Sequence, residues 1–323
     1  NTNFWWFINV LDSAIGSEIV IDGGEYKGNT DDGSFFRFRW NDSESKTKVE
    51  LNNLIVETNY RVVASDERHS VALKVNGGTY TLKNDNDNPG FLLYGSKDAL
   101  AVFTDVTINS EYRQPVSISN QKAEFYNSTI SVENANLKRW LSSAISVDHD
   151  GQVTVDGWTY TSKLFWLYVF NSGGKIIVKK GTIKWEEKAI QIDSSGFKES
   201  PSWVSKSEVV IEDWSLAGDV KLSYNSGEWY AKLAIFGGDF NGSLEKNGKN
   251  SEIAISGGTF PEDVVKYTVD AKCSIKNADS KYEVKDCPVA TKFYGSSNVN
   301  YVPVALDGET IKLNETHALI RKV

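Results

Sequence analysis

An octet of residues returns ten times along this chain, and it restricts the possible folds more tightly than any other feature. The pattern is apolar, any, apolar, any, a small or turn-forming pair, a polar residue, then an apolar or aromatic residue. Its clearest copies are Ile19 to Tyr26, Leu73 to Tyr80, Val153 to Tyr160, Leu233 to Phe240 and Ile253 to Phe260. Between them lie Val49 to Val56, Ala101 to Ile108, Ala123 to Ile130, Ile176 to Ile183 and Val209 to Leu216. The last residues of successive copies are 20 to 33 residues apart. A self-similar period of that size belongs to a solenoid, in which each coil buries its apolar face against the next.

The residue types follow from strand and turn physics. Alternation at period two puts the first and third residues on one face of a short strand and the second on the other. The Gly-Gly, Asn-Gly or Asp-Gly pair then turns the chain, because these residues reach left-handed conformations with little strain. The final Tyr, Phe or Ile returns to the interior.

Most coils carry a further apolar run ending in Asn, Asp or Gly. Examples are Phe36 to Trp40, Phe91 to Tyr94, Ala144 to Val147, Trp166 to Phe170, Ala189 to Ile192 and Val220 to Tyr224. Each coil should therefore hold two or three strands that find their partners in the coils above and below, giving parallel sheets. An antiparallel sandwich also uses short alternating strands, but it gives no reason for one octet to recur ten times. The expectation is an all-β, right-handed parallel β-helix of about ten coils, a rod roughly 50 Å long at the usual strand spacing.

The repeat spans residues 19–260, which leaves 1–18 as an N-terminal cap and 261–323 as a C-terminal cap or small β-rich element. Pro261 and the acids Glu262 and Asp263 resemble a helix start, so a short helix is expected up to about Tyr267. The segment around Cys273 and Cys287 reads as a hairpin, and 302–323 as one or two further strands.

Composition narrows the partners. Acidic residues outnumber basic ones 43 to 35, for a net charge of −8, with both signs spread along the chain. No basic face for tracking phosphates is visible, which argues against nucleic acid as the main partner. No apolar run reaches the length of a membrane helix. With Asn1 first and no Met, the sequence reads as a processed or trimmed product, compatible with removal of a signal peptide. Cys273 and Cys287 are the only cysteines and fit a local disulfide better than a zinc site, implying an oxidising compartment. Sequons at Asn41, Asn127, Asn241 and Asn314 permit glycosylation.

The stretch from Ile253 to Val284, with ISGGTFPEDVVKY followed by KNADSKYEV, resembles a motif of secreted and cell-surface β-helix proteins of gut-type bacteria. In those proteins Gly-Gly-Thr-Phe coils end in an Asp-Val-x-x-Tyr cap. More loosely, the ten octets resemble the pectate-lyase-like superfamily, which holds polysaccharide lyases and hydrolases, tailspikes, adhesins and envelope proteins. That resemblance implies a fold far more than a function. The chain departs from the surface-protein pattern where Cys273 and Cys287 bracket a segment usually free of cysteine.

Glycoside-cleaving β-helices set acids, or acids with Arg or Lys, on neighbouring coils across the scissile bond. Asn29, Thr30, Asp31 and Asp32 are similar to the opening of a polygalacturonase site, but the Gly-His-Gly and Arg-x-Lys motifs of that family do not follow. Asp148, His149 and Asp150 sit before Gly151 at a coil corner, where a polar turn is the plainer reading than an acid–base cluster. His69 and His317 are isolated, and with 3 His in all no His-rich metal site can be assembled. The run from Asn84 to Gly90 resembles an oxygen-ligand calcium loop in which Asp85 and Asp87 would ligate, yet it lacks the closing Glu of an EF-hand and reads as an exposed loop.

Trp140, Trp185, Trp203 and Trp229 lie in or beside polar stretches and are the candidates for stacking on sugar rings, against the alternative of closing the ends of the core. Strand alternation turns Phe36, Phe38 and Trp40 inward and Arg37 and Arg39 outward, where a solvated face is a plainer reading than an anion site.

Three functions fit. The favoured one is a non-catalytic, adhesin-like extracellular or structural solenoid that binds a glycan or a surface protein along its lateral face and uses no cofactor. The second is a polysaccharide lyase or glycoside hydrolase. A phage or virion fibre or capsid component, assembled as a homotrimer, is the third. All three place the chain outside the cell, on its surface, or on a virion.

Overall fold

A computed structural model of the chain describes residues 6–10, 16–28, 34–38, 47–65, 72–83, 88–96, 98–112, 114–133, 143–162, 167–169, 173–184, 188–193, 206–223, 230–247 and 251–288. Within these residues the chain is all-β with long parallel sheets, consistent with a parallel β-helix. The strands fall into three stacks, two given by the halves of the octet and one by the segments between octets.

The first stack brings the opening residues of all ten octets together in one register. Ile19 lies beside Val49, Val49 beside Leu73 and Leu73 beside Ala101. The column continues through Ala123, Val153, Ile176, Val209, Leu233 and Ile253. The third residues form a second column two positions along, from Ile21 and Leu51 to Ile235 and Ile255. Both columns point inward. Every member from Val49 and Leu51 onward is buried, whereas Ile19 and Ile21, on the outermost strand of this stack, are partly exposed. Neighbouring strands run parallel, which removes the antiparallel sandwich.

The second stack aligns the eighth residues. Tyr26 pairs with Val56, Val56 with Tyr80, Tyr80 with Ile108 and Ile108 with Ile130. Tyr160, Ile183, Leu216 and Phe240 follow.

Between the two stacks the chain turns at the octet's fifth residue. In the first six copies that residue is left-handed: Gly23, Asn53, Gly77, Asp105, Asn127 and Gly157 have φ between 47° and 70°. Each of the first five donates its N–H to the strand of the next octet, as Gly77 does to the Thr104 carbonyl at 2.8 Å, so the hydrogen-bond ladder continues round the corner. In the sixth copy the chain nevertheless runs on as the single strand Gln152–Ser162, and the next two, with Lys180 and Asp213 at this position, do the same as Lys175–Lys184 and Lys206–Leu216. A register shift near Asp156 absorbs the change. In the last two copies the left-handed residue moves one place, to Gly238 and Gly258.

The third stack is a 10-stranded parallel sheet. All six of the apolar runs noted between octets contribute to it, through Ser34–Phe38, Phe91–Tyr94, Ile145–Asp148, Leu167–Val169, Lys188–Asp193 and Asp219–Ser223. It also contains Arg61–Ala64, Val116–Ser119 and Leu244–Lys246, which lie outside those six runs. Trp6–Val10, inside the segment expected to cap the N-terminus, is its outermost strand and pairs in parallel with Ser34–Phe38. As alternation required, Phe36 and Phe38 are buried while Arg37 is only partly so.

The core lies between the three stacks. Tyr80, Phe91 and Phe103, one from each, meet edge to face at 5.4 and 5.2 Å. Fully burying an aliphatic or Phe side chain is worth about 1.5–3 kcal/mol. The long unbroken file of such residues is what offsets the ordering of the chain.

After Phe260 the direction of pairing changes. Gly258–Phe260 pairs antiparallel with Tyr282–Asp286, which forms a hairpin with Lys272–Lys276. The helix expected near Tyr267 is a single 3-10 turn, Val265–Tyr267. It stops there because the chain is drawn back to the sheet: Thr268 bridges to Ile255, and the Val269 N–H donates to the Ile255 carbonyl at 2.9 Å. Cys273 and Cys287 are disulfide-bonded across the base of the hairpin. Lys281 ties the hairpin to the stacks, with Nζ 2.9 Å from Asp239 Oδ1 and 3.0 Å from Asn241 Oδ1.

Candidate binding face

Strand alternation leaves every second residue of each stack facing outward, and stacking turns those residues into columns along the axis. The columns differ in chemistry. On the first stack, the residues just before the octets place Lys175, Glu208, Lys232 and Glu252 side by side. Lys175 Nζ is 2.8 Å from Glu208 Oε2, and Lys232 Nζ is 3.9 Å from Glu252 Oε1. This is a self-compensating charged face.

On the second stack, the octet's seventh residue gives another column. Thr79 pairs with Thr107, Thr107 with Thr129, Thr129 with Thr159 and Thr159 with Thr182. Five successive rungs thus present the same side chain at one register position, each at least partly open to solvent. Two residues further on lie Thr81, Asn109 and Ser131, where the Ser131 hydroxyl donates to Asn109 Oδ1 at 2.7 Å. The neutral stretch is bounded at one end by Glu25, Lys27, Glu57 and Lys83, which form the ion pairs Lys27–Glu25 and Lys83–Glu57, both 2.9 Å. The octet pattern specifies the seventh residue only as polar. Aligned one above another, the octets carry Thr at that position in Thr79, Thr107, Thr129, Thr159 and Thr182.

The Asp148–His149–Asp150 corner forms a closed turn. His149 and Asp150 both have positive φ, and the Gly151 N–H donates to the Asp148 carbonyl at 2.8 Å. His149 Nδ1 lies 3.3 Å from Asp148 Oδ1 and 3.3 Å from Ser119 Oγ, and its ring centroid is 6.0 Å from that of Tyr94. These contacts run along a column of the third stack, in which Tyr94, Ser119 and Asp148 are successive partners. They hold the corner in shape, in keeping with the polar-turn reading.

Arg61 packs over the Tyr60 ring at 4.9 Å and donates to Asn88 Oδ1. Burial pulls its pKa below the ordinary value, with Tyr60 opposing and nearby Arg37 reinforcing the shift. Of the sequons, Asn127 and Asn241 are exposed, Asn127 at a left-handed corner next to the threonine column. Trp140, Trp185, Trp203, Trp229, Asp85, Asp87, Asn41, Asn314, Arg39, Trp40, His69, His317 and the Asn29 to Asp32 run lie outside the described residues. Among the described residues, no helix is long and apolar enough to cross a membrane. Compared with known proteins, the chain matches no family model, no curated protein and no solved structure.

Proposed function

We propose that this chain is a right-handed parallel β-helix of about ten coils closed by a C-terminal cap, and that it acts outside the cell by non-catalytic binding. Its partner is a glycan or a surface protein laid along the lateral face. The observation that carries this reading is the single register shared by all ten octets, which turns outward side chains into straight columns on a rigid support. Sites built on strands of a rigid scaffold hold their geometry better than sites on loops. The Cys273–Cys287 bond agrees with an oxidising, extracellular setting.

The test is a glycan and surface-protein binding array run beside an assay for released sugars. Binding without release of reducing ends or unsaturated sugars from pectin, alginate or capsular polysaccharide is expected. Turnover of any of these would replace the binding reading with an enzymatic one. Native mass measurement adds a second arm, in which a trimer would point to a fibre component.

A further inference from the structure

The threonine column of the second stack combines regular spacing, free hydrogen-bonding capacity and neutrality. Its five members occupy adjacent strands, so the hydroxyls repeat at about 4.8 Å over roughly 19 Å. Threonine is stiff at χ1 and points each hydroxyl and methyl in a restricted direction. Among the described residues, no side-chain hydrogen bond engages the hydroxyls of Thr79, Thr107, Thr129, Thr159 or Thr182. The column carries no charge, although 24% of the chain is charged and the first stack presents Lys and Glu on its own outward face.

We infer that this column binds a neutral, extended, β-linked polysaccharide lying parallel to the stacking axis, with one sugar to each strand. This rests on the reading of the chain as a lateral-face binder. Each sugar of an extended β-1,4-linked chain advances by close to one strand spacing, so successive sugar hydroxyls meet successive threonine hydroxyls. The methyl groups lie against axial C–H groups on the ring faces. A polyanion would find no cation in the column. A peptide strand repeats at a shorter interval and falls out of step. A two-dimensional crystal face, ice included, would need a second regular column. The one beside it is mixed in chemistry, and its Ser131 and Asn109 are already bonded to each other.

The experiment titrates the full chain with cello- and manno-oligosaccharides, from disaccharide to heptasaccharide, by calorimetry. The protein is produced without N-glycans, because the Asn127-Ser128-Thr129 sequon shares a residue with the column. Affinity should rise with length and level off once the oligomer spans the five threonines. The T107V/T129V/T159V variant keeps the β-branch and removes three hydroxyls. It should bind about tenfold more weakly or worse with an unchanged melting temperature. Should it unfold, the single variant T159K covers the column from its exposed member and should abolish binding.

Equal binding by wild type and variants would put the glycan elsewhere and overturn this inference while leaving the binder reading intact. So would affinity already complete at the disaccharide, or an array that responds only to acidic glycans. Ice shaping that disappears in the variant would assign the column to a water lattice instead. Release of sugar would overturn both readings together.

Discussion

The rings of Phe103 and Phe125 lie face to face, 4.5 Å between centroids and 6° from parallel. They are direct register partners on neighbouring strands, and both are fully buried. Phe240 and Phe260 repeat the arrangement at 4.7 Å and 8° near the other end. Identical residues at identical octet positions are therefore stacked by the backbone itself.

Truncating one member of such a pair opens a cavity that its neighbours, fixed by strand pairing, cannot fill. Phe125→Ala should cost about 3–5 kcal/mol. Phe125→Leu, which keeps most of the volume, should cost less than half as much. Urea unfolding followed by fluorescence distinguishes the two; equal losses would mean that ring stacking, not volume, dominates.

Gly24 and Gly238 have nearly the same left-handed backbone, φ 113° and 112°. They differ in surroundings: a Cβ on Gly24 meets open space, whereas one on Gly238 would run into the Trp214 backbone carbonyl. Gly24→Ala should therefore cost only the backbone strain, about 1 kcal/mol, and Gly238→Ala clearly more, about 2–4 kcal/mol. Thermal melts of the two variants check this, and equal shifts would show that the corner relaxes.

Tyr80 is buried with no hydrogen-bond partner for its hydroxyl among the described residues. Burial raises its pKa well above the ordinary 10.0. The unfolded chain ionises first as pH climbs, so the protonated, folded state keeps its full stability below pH of about 10 and loses it above that. Tyr80→Phe should leave stability at neutral pH unchanged or slightly higher, because a buried unpaired hydroxyl contributes nothing favourable. It should also move the midpoint of alkaline unfolding upward. A drop in melting temperature at neutral pH would reveal a partner for the hydroxyl.

The Cys273–Cys287 bond closes a segment with a sequence separation of 14 at the very end of the described fold. A loop of that size is worth about 3 kcal/mol in the chain-entropy account. Because the hairpin meets the stacks through Gly258–Phe260 and the Lys281 contacts, reduction should loosen it without melting the parallel strands. Hydrogen exchange after reduction should quicken across 272–286 and stay unchanged at the inward columns. Global quickening would show that the hairpin holds the whole stack together.

The ion pairs of the first stack should matter little. Lys175 and Glu208 are partly exposed, and Glu208→Ala should cost no more than about 1 kcal/mol, an effect that fades as salt is added. Melting temperatures at low and high salt measure it; a loss that persists in high salt would mean the pair is shielded from solvent.

Much of this protein was written locally in its sequence. Strand period and turn chemistry depend on residues next to each other, so the octet disclosed the inward columns, the left-handed corners at Gly23 and Asn53, and the parallel pairing that ten copies demand. The octet did not disclose where the corner is lost: one strand runs straight through in three copies, two with Lys180 or Asp213 at the corner position but the third with Gly157, as in the copies that turn. Arg61–Ala64 and Val116–Ser119 were not legible, because four residues with a single alternation carry too little pattern to stand out from a loop. Only the stacked structure decided that they belong to the third sheet, since their partners lie about a coil away in sequence. The same holds for the threonine column. A threonine seven places into an octet says little alone, and it becomes a surface only when neighbouring strands set five of them side by side through backbone hydrogen bonds between distant residues.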